Sequence, residues 1–139
     1  MQTTQPLRIL FVEDHPDTRC LLDHLLGEDA EIITASGAEE ALAAFTSTEF
    51  DLLLIDINLG SGKNGVDLLR RVRRQESPVE IPAIAVTAYA LPGDREGLLS
   101  EGFDGYVGKP FARRDLVETI EQVLPGTSQS LQFHSETHG

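Results

Sequence analysis

The sequence predicts one α/β domain, a doubly wound parallel sheet with helices on both faces. Three observations point there. Five short apolar runs alternate strictly with five amphipathic stretches, the order that builds parallel sheets. The runs carry little polar alternation, as expected of strands covered on both faces. The chain has 139 residues, of which 41 are Leu, Ile, Val or Phe, enough for one core but not for a second folded domain.

Each element has its own warrant. Leu7 to Val12 is an apolar run suited to a buried strand, and Asp17 to Leu26 places Cys20, Leu21, Leu22, Leu25 and Leu26 on one helical stripe that Gly27 ends. Cys20 reads there as a small core hydrophobe. Glu31 to Ala35 is the second strand. Ser36 is expected to cap the second helix, with Glu39 completing a capping box and the helix running to about Phe45. Leu52 to Ile55 is a third strand, apolar on both faces. A glycine-rich loop, Asn58 to Asn64, leads to a helix over Gly65 to Arg74. Pro82 to Val86 is the fourth strand, and Pro92 opens a helix at a position that tolerates proline, with Gly102 as its stop. Tyr106-Val107 is a short fifth strand. Arg113 to Leu124 is the last helix, stopped by Pro125-Gly126. The domain is therefore expected over 1–126, and the polar, aperiodic residues 127–139 as a flexible tail.

Composition narrows the function classes. Eleven Lys and Arg stand against 23 Asp and Glu, a formal charge of −12, which opposes nucleic-acid binding because phosphate contacts need clustered bases. No apolar stretch is long enough to cross a membrane, and the polar start Met1 to Pro6 has no signal-peptide order. The single cysteine excludes an internal disulfide framework and a thiol-rich zinc site. A cytoplasmic protein with basic or metal partners is the expectation.

The chemistry is expected outside the carboxyl ends of the strands, where open parallel sheets form their sites. Glu13 and Asp14 follow the first strand, Asp56 the third, Thr87 the fourth and Lys109 the fifth. Three converging carboxylates repel one another and need a cation. Hard oxygen donors with open positions suit Mg²⁺ (or Mn²⁺). A carboxylate nucleophile, a divalent metal and a lysine together describe aspartyl-phosphate chemistry.

These residues resemble a known family. Phe11-Val12-Glu13-Asp14, Leu54-Ile55-Asp56, Val86-Thr87-Ala88 and Gly105-Tyr106-Val107-Gly108-Lys109-Pro110-Phe111 look like the motifs of a receiver domain of a two-component response regulator, across about residues 6–124. Each motif alone is weak, and their order and spacing together are specific. The resemblance implies the flavodoxin-like (βα)5 fold of the chemotaxis regulators, with strand order 2-1-3-4-5. It implies that Asp56 is the phosphoacceptor. Asp14, Glu13 through water, Asp56 and the backbone carbonyl of Asn58 would hold the metal. Thr87, Ala88 and Lys109 would bind the phosphoryl group, Tyr106 would be the switch aromatic, and the Lys109–Pro110 peptide would be cis. The implied donor is a histidine kinase or a histidine phosphotransfer protein. A downstream protein, or a second copy of the chain, would dock on about Leu91–Leu124. Self-phosphotransfer and slow autodephosphorylation would be the only catalysis.

Some features depart from the family pattern. The loop Asn58 to Asn64 is about one residue longer than usual, with Gly60, Gly62 and Lys63 as its unusual members, and resembles receivers linked to hybrid or sensor kinases. Asn58 and Tyr89 stand two residues past Asp56 and Thr87, positions that the resemblance implies border the path of the hydrolytic water. Tyr89 is bulky, and a phosphate lifetime of minutes or longer is expected.

Plainer readings stand beside these. His15 reads as a rim residue, although it follows the acid pair closely enough to approach a metal. His24 reads as a surface or packing residue, and His134 and His138 as tail residues without function. Arg70, Arg71, Arg73 and Arg74 read as a solvated helix face pairing with local acids. About 15 residues follow the last helix, too few for a DNA-binding output domain if the chain is complete. An excised piece of a hybrid kinase fits equally well. A phosphorylation-independent interaction module is the rival from another class, opposed by the intact set Glu13, Asp14, Asp56, Thr87 and Lys109. An Asp-nucleophile phosphohydrolase would place its nucleophile after the first strand with a second Asp two residues on, and here that strand ends Glu13-Asp14-His15-Pro16.

Overall fold

A computed structural model of the chain describes residues 6–59, 64–75, 81–88 and 92–125, with 92–95 described by backbone alone. The expected tail, Gly126, Gly60, Gly62, Lys63, Tyr89 and Leu91 lie outside these residues. The elements run β1 (Leu7–Val12), α1 (Pro16–Leu26), β2 (Ala30–Ala35), α2 (Ala38–Ser47), β3 (Leu52–Asp56), α3 (Gly65–Arg74), β4 (Ala83–Thr87), α4 (Pro92–Ser100), β5 (Gly105–Gly108) and α5 (Arg113–Val123). The five strands form one sheet in the order β2-β1-β3-β4-β5, and every neighbouring pair is parallel. This is the (βα)5 architecture that the alternating runs predict.

The two faces of the sheet follow from the period of two along each strand. Ile9, Phe11, Leu52, Leu54, Ile84, Val86 and Val107 point to one side and pack with Leu22 and Leu26 of α1 and Leu116, Val117 and Ile120 of α5. Leu10, Val12, Leu53, Ile55, Ala83 and Ala85 point to the other and pack with Ala38 and Ala41 of α2 and Leu68, Leu69 and Val72 of α3. The central strand β3 is buried along its whole length, so every residue that follows β1, β3, β4 and β5 is held by a rigid frame.

Two local expectations are corrected. Cys20 and Leu21 are exposed, and only Leu22 and Leu26 of the expected stripe are fully buried, with Leu25 half-buried. Successive residues turn by about 100° around a helix. A run of three apolar residues therefore wraps off the sheet, and Cys20 is not a core residue. Ser36 does not cap α2. Gly37 stands extended before the helix, and Glu40 reaches back, its Oε1 accepting from Ser36 N and Oγ, both at 2.7 Å. These bonds hold the Glu40 carboxyl below its usual range. The capping acid is one residue later than expected because the helix starts one residue later.

Elsewhere the ends match their signals. Asn64 caps α3, its side-chain oxygen accepting from Val66 N at 2.7 Å. Gly102 adopts φ +111°, a left-handed conformation that favours glycine, as the chain leaves α4. Asp115 accepts from Ala112 N at 2.9 Å before α5. Of the basic cluster, Arg70 pairs with Glu101, Arg71 with Glu39 and Arg73 with Asp104, which agrees with the reading of a solvated face.

Leu54→Ala empties fully buried volume in the central strand. It is expected to cost about 2–5 kcal/mol in chemical denaturation. Leu21→Ala on the exposed face of α1 is expected to change stability by about 0.5 kcal/mol or less.

Candidate functional site

The carboxyl end of the sheet gathers the charged residues. Glu13 follows β1 directly, and its N–H donates to Ala35 O at 2.9 Å, carrying the ladder with β2 one residue further. This fixes the backbone at the turn and leaves the Glu13 side chain with no exposed surface. Arg19, on α1, donates from Nη1 to Glu13 O at 2.7 Å and ties the turn to the helix. His15 occupies the position before α1, with Pro16 opening the helix. Its N–H donates to Glu13 Oε2 at 3.2 Å.

Asp56 is the last residue of β3, pairs in register with Val86, and is only 3% exposed. Asn58 N donates to its Oδ1 at 3.1 Å. Lys109 follows β5, and its N–H donates to Thr87 O at 2.8 Å. That bond aims the lysine side chain along the end of the sheet. Its Nζ stands 3.1 Å from Asp56 Oδ2 and 2.9 Å from Glu13 Oε1. One ammonium thus bridges two buried carboxylates. The Lys109–Pro110 peptide is cis.

The electrostatics follow from this arrangement. Burial pushes the Asp56 carboxyl up to about 6, and the charge of Glu13 pushes the same way; Lys109 and the Asn58 amide pull it back only in part. Burial pulls the Lys109 ammonium down, but the hydrogen bonds and charges of Glu13 and Asp56 outweigh it and hold it above its ordinary range.

The donor set fits a cation. Asp14 Oδ1 is a buried oxygen that accepts no hydrogen bond, whereas the buried Glu13 Oε1 has the Lys109 ammonium at 2.9 Å as its partner. A buried carboxylate oxygen left like that of Asp14 is costly unless an ion completes it. One donor atom from each of Glu13, Asp14 and His15 lies within 4.8 Å of the others.

The loop after Asp56 is pinned at both ends. Asn58 and Asn64 form an antiparallel bridge, and Gly65 N donates to Ile57 O at 2.8 Å. A Cβ at Gly65 would sit 2.4 Å from Asp56 O, so only glycine allows α3 to start against the Asp56 peptide. Thr87 is buried at the end of β4, and Ala88 beside it is exposed. Tyr106 is half-buried on β5, packed against the core on the α2–α3 side. The structure therefore brings Glu13, Asp14, Asp56 and Lys109 to one end of the sheet. Reasoning from sequence did not single out Arg19 or Gly65. Arg19 carries no local signal, whereas Gly65 at the mouth of a helix, nine residues after Asp56, was open to a close-approach reading.

Asp56 binds a proton more tightly folded than unfolded, so its ionisation weakens the fold as pH rises from about 4 through about 6. Asp56→Asn is expected to raise the Tm at pH 7 in chelator, and this gain is expected to shrink towards zero below pH 4. Melting curves across that range check it; a gain that is constant with pH contradicts the burial account.

Comparison with known proteins places this site in a family. Residues 9–121 match the Response regulator receiver domain family. An uncharacterized 14.6 kDa protein of Leptolyngbya boryana is 38% identical over 123 residues, covering 88% of this chain and 93% of that one. The sensor protein GacS of Pseudomonas syringae is 29% identical over 116 residues, 81% of this chain but only 13% of GacS. Among solved structures, the chemotaxis protein CheY4 of Vibrio cholerae superposes with a TM-score of 0.79 at 27% identity, over 86% of this chain and 100% of that one. The receiver domain of a sensor histidine kinase from Pseudomonas aeruginosa, solved with magnesium coordinated in its active-site cleft, gives a TM-score of 0.75 at 30% identity, over 86% and 98%.

Proposed function

Because the chain belongs to the response regulator receiver family, we propose that Asp56 is its phosphoacceptor and that the Glu13–Asp14–Lys109 cluster serves the transfer. The observation that carries this reading is the Lys109 ammonium held between two buried carboxylates, Glu13 and Asp56, at 2.9 and 3.1 Å. A lysine so placed can follow the charge from the free carboxylate to a phosphoryl oxygen bound on it.

The reaction balances simply. An Asp56 carboxylate oxygen attacks the phosphorus of a phosphohistidine, the P–N bond breaks, and the histidine leaves with the electron pair and takes up a proton. Asp56 is presented at the strand end with Oδ1 oriented by Asn58 N, so little motion is needed before attack. A divalent ion, when bound, would screen the developing charge on the phosphoryl oxygens. Asp14, Glu13, Asp56 and the Asn58 carbonyl are the oxygens assigned to hold it. The Thr87 hydroxyl and the Ala88 N–H are assigned to the remaining phosphoryl oxygens, with Lys109 on one of them. Tyr106, half-buried beside Ala85 in the β4–β5 ladder, would turn inward as Thr87 moves, and so carry the change to the surface of α4, β5 and α5. Tyr89 and Asn58 would tune the lifetime of the phosphate.

The partners follow from the chemistry. A phosphohistidine donor, on a kinase or a phosphotransfer protein, supplies the group, and the sensor-kinase relatives support that source. The surface over Leu91–Leu124 is proposed for a downstream protein or a second copy. Among the described residues no helix is long and apolar enough to cross a membrane.

With acetyl phosphate and Mg²⁺, intact mass is expected to show one added phosphoryl group on the wild type and none on Asp56→Asn. Lys109→Ala is expected to slow the gain by on the order of a hundredfold. Phosphate appearing on Asp56→Asn at the wild-type rate would place the acceptor elsewhere.

A further inference from the structure

We infer that His15 is a nitrogen ligand at the cation site, and that it makes the site favour Mn²⁺ and the later first-row divalent ions over Mg²⁺. The inference rests on the proposed function and concerns which metal that site takes. Its starting point is geometric. His15 Nδ1 lies 3.3 Å from Glu13 Oε2 and 3.3 Å from Asp14 Oδ1. Two donors about 2.1 Å from one ion, at angles of roughly 90–109°, are about 3.0–3.4 Å apart. Both distances from His15 Nδ1 thus match neighbouring ligands on one ion, and one donor atom from each of the three residues lies within 4.8 Å of the others.

A second observation points to an ion independently. Asp14 Oδ1, one of the two oxygens that His15 Nδ1 approaches, is a buried atom that accepts no hydrogen bond, whereas Glu13 Oε1 already has the Lys109 ammonium at 2.9 Å. His15 is bound to Glu13 Oε2 through its backbone N at 3.2 Å, and its ring Nδ1 stands 3.3 Å from the same oxygen, while the side chain is 70% exposed. In the tautomer that carries its proton on Nε2, Nδ1 has a lone pair to offer an ion between the carboxylates.

Ligand chemistry gives the preference its sign. Mg²⁺ takes oxygen donors and keeps its waters. Imidazole suits the transition ions, whose affinity for mixed nitrogen and oxygen sites rises along the first row from Mn²⁺. An all-oxygen site separates Mg²⁺ from Mn²⁺ only weakly, and one nitrogen tilts it.

The test uses the full chain carrying His134→Ala and His138→Ala, so that the C-terminal histidines supply no nitrogen. Titration calorimetry gives the Mg²⁺ and Mn²⁺ affinities with and without His15→Gln, and pulsed electron paramagnetic resonance reads the bound Mn²⁺ for nitrogen coupling. The expected result is a nitrogen modulation that His15→Gln abolishes. Mn²⁺ binding is expected to weaken by about tenfold and Mg²⁺ binding by less than about twofold. Absence of nitrogen coupling, or equal losses for both ions, overturns the ligand role and leaves the phosphoacceptor reading standing. Failure of both ions to bind before His15 is changed overturns both.

Discussion

The whole carboxyl end of the sheet depends on one ammonium placed between two buried carboxylates. Glu13 and Asp56 end neighbouring strands, so the sheet itself forces two like charges together in a place with little water. Without a partner each would cost several kcal/mol, and leaving one uncompensated would strongly destabilise the fold. Lys109 offsets this from the far side of the sheet. The compensation is incomplete, since Asp56 stays well above the ordinary carboxylate range. A site with surplus negative charge and an unsatisfied buried oxygen at Asp14 suits a cation.

Backbone geometry does the placing. The ladder continues past the named strands at Glu13 N to Ala35 O and at Lys109 N to Thr87 O, so both charged residues leave the sheet in fixed directions. The Asp56 peptide is held from below by Gly65, where no other residue could approach so closely. The functional side chains thus sit on the ends of rigid strands, with helices α1 and α3 buttressing the turns through Arg19 and Gly65. Such support suits a site whose reaction needs charges held at fixed positions more than it needs motion.

Under the proposed function, the same packing would carry a change at Asp56 to a distant surface. Thr87 and Lys109 are joined by a main-chain bond, and Tyr106 lies on the strand that carries Lys109. The Thr87–Lys109 bond joins the end of β4 to the end of β5, and β5 is flanked by α4 and α5.

The alternation of apolar runs and amphipathic stretches determined the fold class, because a strand buried on both faces can be built only from such runs. The acids at Glu13, Asp14 and Asp56, the hydroxyl at Thr87 and the lysine at Lys109 were legible for the same reason: each directly follows an apolar run, and parallel strands bring such positions to one edge. Helix faces were less legible. Cys20 and Leu21 look like core in sequence but turn to solvent, because a run of apolar residues says nothing about which one faces the sheet. The capping acid of α2 was misplaced by one residue, since the start of a helix depends on the conformation of Gly37 and not on composition. Sequence alone also could not show that Lys109 bridges two carboxylates, that Arg19 holds the Glu13 carbonyl, or that His15 brings a nitrogen to the acid pair. Those contacts join residues from separate elements, or depend on side-chain direction, and their distances exist only once the strands are laid side by side.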